Sequence, residues 1–293
     1  MGYLVLGLSA LAYAVGIIAQ TVAARRLAHT GRLELGLLAR LATDRVYLVG
    51  FTAQVVGFGL AFLARATLPL YLVQAGASSA VGIAALLGVF VLGLRIRWAE
   101  IGALVVMALG LFALAGAAQP SVAGPMPLGV GIGLVAVLGL VIGLAWFAAK
   151  LPGPRGAIAL GMLAGIAFAV LAVASRPLAA GPYLELPLQP LAWLMVASAL
   201  VGQSLLAAAL QRGSPTSTMA TMDATSVVIA SVVGIVALGD QIAAGKAAWV
   251  VVGLVLVVSA VITMAIVKPH ESAVPNRAPA ELDPTIDTEA TAR

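Results

Sequence analysis

The sequence contains no cysteine and only two histidines, and charged residues occupy 9% of its 293 positions. Without cysteine, disulfides, thiolate zinc sites and thiol nucleophiles are excluded. His29 and His270 both lie outside the long apolar segments, which excludes a histidine metal cluster or a Ser–His–Asp triad within them. No phosphate-binding loop or dinucleotide fingerprint is present, so neither an enzymatic activity nor a cofactor is predicted. A soluble domain carries about 25% charged residues, and this shortage of charge therefore predicts a surface that faces lipid.

Apolar residues are abundant instead: they make up 62% of the chain, whose mean hydropathy is +1.12. A helix that crosses a bilayer needs about 20 mostly apolar residues. Because lipid cannot satisfy open backbone groups, and because the apolar runs are continuous rather than alternating, the spanning segments are predicted to be helices. The sequence predicts nine of them, at 2–24, 46–64, 68–93, 99–118, 127–149, 156–175, 190–211, 216–238 and 247–267.

The positions of lysine and arginine predict how these helices are oriented, because cytoplasmic loops are rich in both residues. With the N-terminus outside, 13 basic residues fall on the cytoplasmic side, and only Arg65, Arg176 and Lys246 fall on the outer side. This bias predicts a multi-pass protein of the plasma membrane, the cytoplasmic membrane of a bacterium, with the C-terminus in the cytoplasm. It also accounts for the isoelectric point near 10 without nucleic-acid binding.

The two halves of the chain are similar in sequence. A shift of 146 positions lays residues 68–93 on residues 214–239, with identities that include Gly88 with Gly234. Two further pairs of segments match at similar shifts: 56–64 with 201–209, and 12–15 with 167–170. Three matches in the same order along the chain predict a genuine internal repeat.

The repeat predicts an all-α integral membrane protein. Residues 1–118 form a first four-helix repeat, residues 119–152 hold a linking helix, and residues 153–267 form a second repeat. Four crossings return the chain to its starting side and the linking helix reverses it, so the second repeat is predicted to be inverted. The segment 268–293 is predicted to be a disordered cytoplasmic tail, and 32–45 either an interfacial helix or a solvated loop.

Asp223 is the carboxylate that lies well inside a predicted span, where an ionised side chain costs about 2.5–3.5 kcal/mol at the helix centre. No lysine or arginine lies within any predicted span. The carboxyl group is therefore expected to face an aqueous cavity, to bind a cation or to be protonated. The alternative is a structural acid whose side chain reaches water at the helix end. Asp240, which follows the same helix, is expected to be solvated.

Polar side chains are predicted to complete a binding site around Asp223. Ser226 lies one turn away on the same helix face. Oxygen and amide groups around one negative charge suit a hard cation, with Asp223 as the metal ligand, or a small polar solute that carries an amine. The alternatives are hydroxyls bonded to their own helix and glutamines, including Gln54, that join neighbouring helices. The predicted site residues are Asp223, Ser226, Thr225, Gln74, Ser78 and Gln203.

Three G-x-x-x-G steps occur in the apolar segments, at 129–133, 139–143 and 161–165. Such steps let helix backbones approach closely, and they predict tight packing within the chain. Dimerisation is the alternative, and the sequence leaves the oligomeric state open.

The pattern P-x-x-x-V-Q-A-x-x-S-S-x-x-x-x-x-A-L-L-G at 69–88, with its partner ending in ALGD at 237–240, resembles the drug/metabolite transporter superfamily. EamA-type proteins and the NIPA-like magnesium-transporter branch are the members it is most similar to, over roughly residues 1–267. EamA-type proteins typically have ten helices, whereas this chain has nine predicted ones, a count that is closer to the NIPA-like branch. Small multidrug exporters of the superfamily carry a glutamate in helix 1, whereas the first predicted helix here has no acid. The chain also has Ala224 where related sequences place a proline after the aspartate.

This resemblance implies a secondary transporter that works by alternating access. The first hypothesis for its cargo is a divalent cation such as Mg²⁺. The second is proton-coupled movement of a small metabolite or drug. The third hypothesis belongs to another class, a non-transporting membrane protein that serves as a partner subunit or scaffold.

Overall fold

A computed structural model describes residues 1–28, 44–92, 98–120, 124–212 and 215–266. Within them the chain forms nine α-helices and one short 3-10 helix, and no β-strand. The α-helices are α1 (Gly2–Ala28), α2 (Arg45–Ala64), α3 (Leu70–Leu92), α4 (Trp98–Ala117), α5 (Leu128–Ala148), α6 (Gly153–Ala180), α7 (Pro190–Leu210), α8 (Pro215–Ala237) and α9 (Ala247–Ile266). The 3-10 helix η1 (Tyr183–Leu188) joins α6 to α7. The prediction of an all-α protein is confirmed.

Seven of these helices are long and apolar enough to cross a membrane, namely α1, α2, α3, α5, α6, α7 and α8. The other two contain shorter apolar stretches, Ile101–Ala117 in α4 and Ala247–Thr263 in α9. Large apolar side chains on the outside of the bundle, such as Phe90, Trp146 and Val236, are strongly exposed, as a lipid-facing surface requires. Residues 32–43 of the predicted surface segment and the predicted tail 268–293 lie outside the described residues.

Helix α6 is the helix whose predicted bounds differ most from the observed ones. The predicted segment ends at residue 175, before Arg176 and Pro177, whereas the helix continues to Ala180. Proline in the last turn removes only one backbone donor, and the Arg176 charge is neutralised by contacts with other elements. The helix therefore continues past two residues that usually end an apolar span.

The helices pack in two similar groups. Helix α1 packs against α2 and α3, and α6 packs against α7 and α8; between the groups, α3 crosses α8 and α4 crosses α9. The two largest apolar cores are one centred on α6 and one formed by α1, α2, α3, α4 and α9. Helix α6 is buried along most of its length, whereas α5 buries only Leu134, Leu138, Val141 and Ala148.

The end of the bundle at which α6 and α8 finish is here called the Arg176 end. Arg176, near the end of α6, donates a hydrogen bond to Leu68 O, just before α3 begins. Asp240, just after α8, accepts one from Leu70 N at the start of α3. Gly2 at the start of α1 lies against the Leu68 side chain. Helices α1 and α3 therefore begin where α6 and α8 end.

Glycine packing differs from the prediction in α5. A β-carbon at Gly165 would lie 2.5 Å from Met222 O, and one at Gly161 would lie 3.2 Å from Thr218 O, so the step in α6 packs closely on α8 as predicted. The two steps in α5 were predicted wrongly, because a β-carbon at any of their four glycines would meet nothing within 4 Å. Most of the α5 surface is exposed, and its glycines lie on that surface.

Helices α4 and α9 approach each other closely at a reciprocal pair of glycines. A β-carbon at Gly110 in α4 would lie 2.9 Å from Gly253 O, and a β-carbon at Gly253 in α9 would lie 2.9 Å from Gly110 O. Neither backbone oxygen can move without displacing its helix. These two glycines therefore fix the distance between α4 and α9.

We expect Gly110→Ala to lower the unfolding temperature of the purified protein, because overpacking typically costs about 1–3 kcal/mol. Gly116→Ala on the same helix is the matched control, since a β-carbon there would meet nothing within 4 Å. Thermal unfolding in detergent measures both variants. An unfolding temperature for Gly110→Ala equal to that of Gly116→Ala would contradict the close crossing.

Candidate functional site

A buried hydrogen bond joins the two crossing helices α3 and α8. Gln74 Nε2 donates to Ser226 Oγ at 3.0 Å. Ser226 is the middle residue of α8, and Gln74 lies about one turn into α3. Two residues predicted from opposite halves of the chain therefore meet in the interior of the bundle, where an unsatisfied amide would be costly.

Arg65 extends this contact into a chain of polar groups. It follows the last residue of α2, its exposed fraction is 4%, and its Nη2 donates to Gln74 Oε1 at 3.1 Å. The guanidinium also lies 5.9 Å from the centre of the Phe58 ring. Burial lowers the pKa of Arg65 to about 10, so the group remains a cation at neutral pH. Arg65 lies in the connection between α2 and α3, as expected, but its side chain is buried, which the sequence did not predict.

Asp223 lies one turn before Ser226 on α8 and is part-buried. Tyr13 of α1 is close enough to interact electrostatically with both Asp223 and Arg65. The Tyr13 ring fits because Gly57 on α2 has no side chain; a β-carbon there would lie 3.0 Å from the ring. Tyr13, Arg65, Gln74, Asp223 and Ser226 are here called the central cluster.

The remaining predicted site residues have different surroundings. Thr225 Oγ1 donates to Thr221 O of its own helix at 2.7 Å, which is the alternative recognised for such hydroxyls. Ser78 is buried one turn after Gln74, whereas Gln203 is exposed on α7. Gln54 donates to Gln20 Oε1 at 3.4 Å and joins α2 to α1. The structure therefore brings Gln74 and Ser226 into contact next to Asp223, and it leaves Gln203 on the surface.

A second charged group lies at the Arg176 end. Arg176 Nη2 and Asp240 Oδ1 are 2.5 Å apart, and the two side chains are only 3% and 0% exposed. Gly239 makes the pairing possible, because its left-handed conformation (φ +67°) reverses the chain after α8 and turns Asp240 back toward the bundle. Asp240 N then donates to Gly234 O at 2.9 Å.

Asp240 and Arg176 also bind backbone groups that the helix ends leave free. Leu70 N donates to Asp240 Oδ2 at 2.5 Å, and Arg176 Nη1 donates to Arg65 O at 2.6 Å and to Leu68 O. Burial raises the pKa of Asp240, while the Arg176 guanidinium and the Leu70 N–H act in the opposite direction. The expectations that Asp240 is solvated and that Arg176 lies in an outer loop are both wrong. The two residues are buried because the negative charge of Asp240 and the positive charge of Arg176 neutralise each other.

A cavity of about 80 Å³ lies beside this pair, lined by Gly124, Pro125, Pro127, Arg176, Pro177, Ala237 and Leu238. Pockets for drug-sized ligands measure about 300–1,000 Å³, so this cavity has room for only a few water molecules. Arg65 links it to the centre of the bundle, since its backbone oxygen binds Arg176 and its side chain binds Gln74.

Sequence reasoning missed both buried arginines, although one signal pointed to them. Only Arg65, Arg176 and Lys246 departed from the inward bias of basic residues. Two of these three exceptions are buried, and Lys246 alone is exposed. A basic residue on the wrong side of a strong bias is therefore a candidate for an interior contact.

No family model, curated protein or solved structure matches this chain. Among the described residues, no group of three or more histidine, cysteine or acidic side chains is arranged to hold a metal ion. A cation at Asp223 would therefore depend on one carboxylate, the neutral oxygens of the central cluster and water. The arrangement is suited to holding one small polar or charged solute between opposite charges.

Proposed function

We propose that this chain is a secondary membrane transporter that works by alternating access around the central cluster. The resemblance to the drug/metabolite transporter superfamily is part of this proposal. So are nine spans in a bacterial cytoplasmic membrane, with the N-terminus outside and the C-terminus in the cytoplasm. The protein would carry a small solute or cation across the bilayer without chemical change.

The hydrogen bond from Gln74 to Ser226 is the observation that carries the proposal. It joins α3 of one group to the middle of α8 in the other group. It lies next to Asp223, a carboxylate whose burial in a spanning helix is energetically unfavourable and therefore indicates a function. Ionisable residues in membrane interiors generally mark ion or substrate pathways. A polar link between two bundles can break and re-form as the bundles rock.

The arrangement of the helices supports inverted repeats of 1–118 and 153–267 joined by α5. Helices that correspond in the two halves have corresponding partners: α1 with α2 and α3, α6 with α7 and α8. They also run in opposite directions, because α1 and α3 begin at the end where α6 and α8 finish. The reciprocal contact of Gly110 and Gly253 fits a two-fold axis between α4 and α9. Inverted halves can exchange conformations, which gives two states of opposite openness.

Among the possible cargoes, a small charged metabolite is supported better than Mg²⁺. The Asp223 carboxylate and the hydroxyls around it would suit a divalent cation. Arg65, however, is a buried cation in the same cluster and repels other cations, an effect that the low dielectric of the interior strengthens. Magnesium transport and a non-transporting role as a membrane partner remain the alternatives.

Labelling of Ser226→Cys tests alternating access, and the absence of native cysteine removes background. We expect a membrane-impermeant maleimide to label this variant from either face of the membrane, in right-side-out and in inverted vesicles. Val228→Cys, on the exposed surface of the same helix, is the matched control and should remain unlabelled because lipid suppresses its thiolate. Labelling of Ser226→Cys from one face only, or from neither, would overturn the alternating-access mechanism.

A further inference from the structure

Arg65 is a buried cation whose hydrogen-bonding capacity is mostly unused. A guanidinium carries five N–H donors. Here Nη2 makes the bond to Gln74, whereas Nε and Nη1 have no hydrogen-bond partner among the described residues. Buried donors without partners are rare in native proteins, and each one calls for an explanation such as a functional role or a bound ion.

The shape of the guanidinium fixes what could fill these positions. One edge of the group presents Nε–H with one Nη2–H, and the other edge presents Nη1–H with the second Nη2–H. Gln74 occupies one Nη2–H. Whichever hydrogen it takes, the opposite edge keeps two parallel donors, which is the fork that binds the two oxygens of a carboxylate.

The two buried arginines differ in whether a carboxylate of the chain lies against the guanidinium. The buried Arg176 is neutralised by Asp240. No carboxylate in the described part of the chain forms an ion pair with Arg65, and Arg176 approaches it from the backbone side. An unpaired ion in an apolar interior is strongly unfavourable, so an anion of single charge would stabilise this arrangement.

We propose that Arg65 is the binding residue for a carboxylate group of the transported solute. Gln74 is a positioning residue that holds the guanidinium, and the carboxylate binds at the fork that Gln74 leaves free. A carboxylate fits better than a phosphate, because the single uncompensated cation matches one negative charge. Asp223, which shares Tyr13 with Arg65, then faces the other part of the same solute, an amine or a bound proton.

This inference deepens the proposed function and names a class of substrate for it. The test measures thermal unfolding of the purified full chain in detergent at constant ionic strength. The probes are sodium acetate, sodium lactate and L-alanine, with sodium chloride and sodium phosphate for comparison. A ligand that binds only the folded state raises the unfolding temperature in proportion to the logarithm of its concentration.

We expect at least one of the three carboxylates to stabilise the parent, and chloride and phosphate to have no such effect. Arg65→Lys keeps the charge but loses the fork, and should weaken carboxylate binding by about tenfold or more. Arg65→Gln should abolish it. Arg212→Gln is the matched control and should bind carboxylates like the parent. Arg212 is a part-buried arginine that lies just after the last residue of α7, away from the Arg176 end of the bundle.

Gln74→Glu keeps the test decisive if the Arg65 variants fold poorly. A glutamate at position 74 places a carboxylate against Arg65 where Gln74 Oε1 now lies, 3.1 Å from Nη2. Its second oxygen can accept from the Ser226 hydroxyl. We expect this variant to unfold at a higher temperature than the parent and to lose its response to carboxylates, because the built-in carboxylate competes for the guanidinium.

The proposal is overturned if none of the three carboxylates stabilises the parent, if phosphate stabilises it and the carboxylates do not, or if Arg65→Gln or Gln74→Glu responds like the parent. The proposed function fails by a different result. If carboxylates bind through Arg65 but Ser226→Cys is labelled from one face only, the anion site is supported and alternating access is contradicted. If Ser226→Cys is labelled from both faces but no carboxylate binds, alternating access is supported and the anion site is contradicted.

Discussion

Replacing Asp223 by asparagine is expected to reduce transport to background while leaving the protein folded and at least as stable as the parent. Asparagine has the same shape but cannot carry the charge or bind a proton. An ionised carboxylate at the centre of a spanning helix costs about 2.5–3.5 kcal/mol on insertion scales, so its removal should not weaken the fold. Loss of activity without loss of stability is the expected result for a residue kept for function.

Proteoliposomes provide the measurement. A magnesium transporter is supported if the parent takes up labelled Mg²⁺ and Asp223→Asn does not. A proton-coupled transporter is supported if a pH gradient drives exchange of lactate or L-alanine in the parent and this exchange is lost in Asp223→Asn. Glu185→Gln, an exposed acid in η1, is the matched control and should transport like the parent. Unchanged transport in both Asp223→Asn and Asp223→Ala would remove Asp223 from the mechanism and favour a non-transporting protein.

The second large effect is expected at the Arg176–Asp240 pair, where replacing either residue should destabilise the fold by about 3–5 kcal/mol. Asp240→Ala leaves a buried cation and an unpaired Leu70 N–H. Arg176→Met leaves a buried carboxylate and removes the donor that holds Arg65 O and Leu68 O. The ends of α2 and α8 and the start of α3 would lose their common partner.

A double-mutant cycle measures this coupling. The double variant Arg176→Met with Asp240→Ala should be less destabilised than the sum of the single variants, because it leaves neither charge unpaired. It should not recover fully, since Leu70 N and the two carbonyl oxygens lose their bonds. Thermal unfolding in detergent follows all four proteins, and Glu185→Gln should unfold with the parent. Additive effects of the two single replacements would show that the pair contributes no coupling.

Asp223 and Asp240 therefore have opposite expected roles, although both belong to the α8 region. Asp240 meets a guanidinium and a backbone donor, so its charge is compensated inside the protein. Asp223 lies next to Ser226 and Tyr13, with no ion pair of its own in the described part of the chain. The uncompensated acid and the uncompensated Arg65 lie in one cluster, which is where a solute could complete the charge balance.

Helix positions were largely predictable because the apolar residues form continuous runs. The observed ends of α2, α3, α4, α5, α7, α8 and α9 fall within two residues of the predicted ones. The error at α6 arose because Arg176 was assumed to need water. Helix α8 runs unbroken from Pro215 to Ala237, with an alanine rather than a helix-breaking proline at position 224.

The site was predicted in part. Gln74, Asp223 and Ser226 were selected because they are polar within apolar runs, and Gln74 and Ser226 do bond to each other. Gln203 was selected on the same ground and is exposed, because polarity alone does not say which face of a helix turns inward. Tyr13 gave no signal, since a tyrosine in an apolar helix is ordinary.

The sequence by itself determined that this chain is a bundle of helices in lipid, because hydropathy along the chain is a local property. It also identified Asp223 as an acid inside a predicted span, where its charge is costly unless it meets water, a cation or a proton. Only the tertiary structure decided which charges are compensated. Arg65, Arg176 and Asp240 are distant in sequence, and their burial depends on contacts among α2, α3, α6 and α8 that no local pattern specifies. A charge is tolerated in an apolar interior only through its partners, and those partners are a property of the fold.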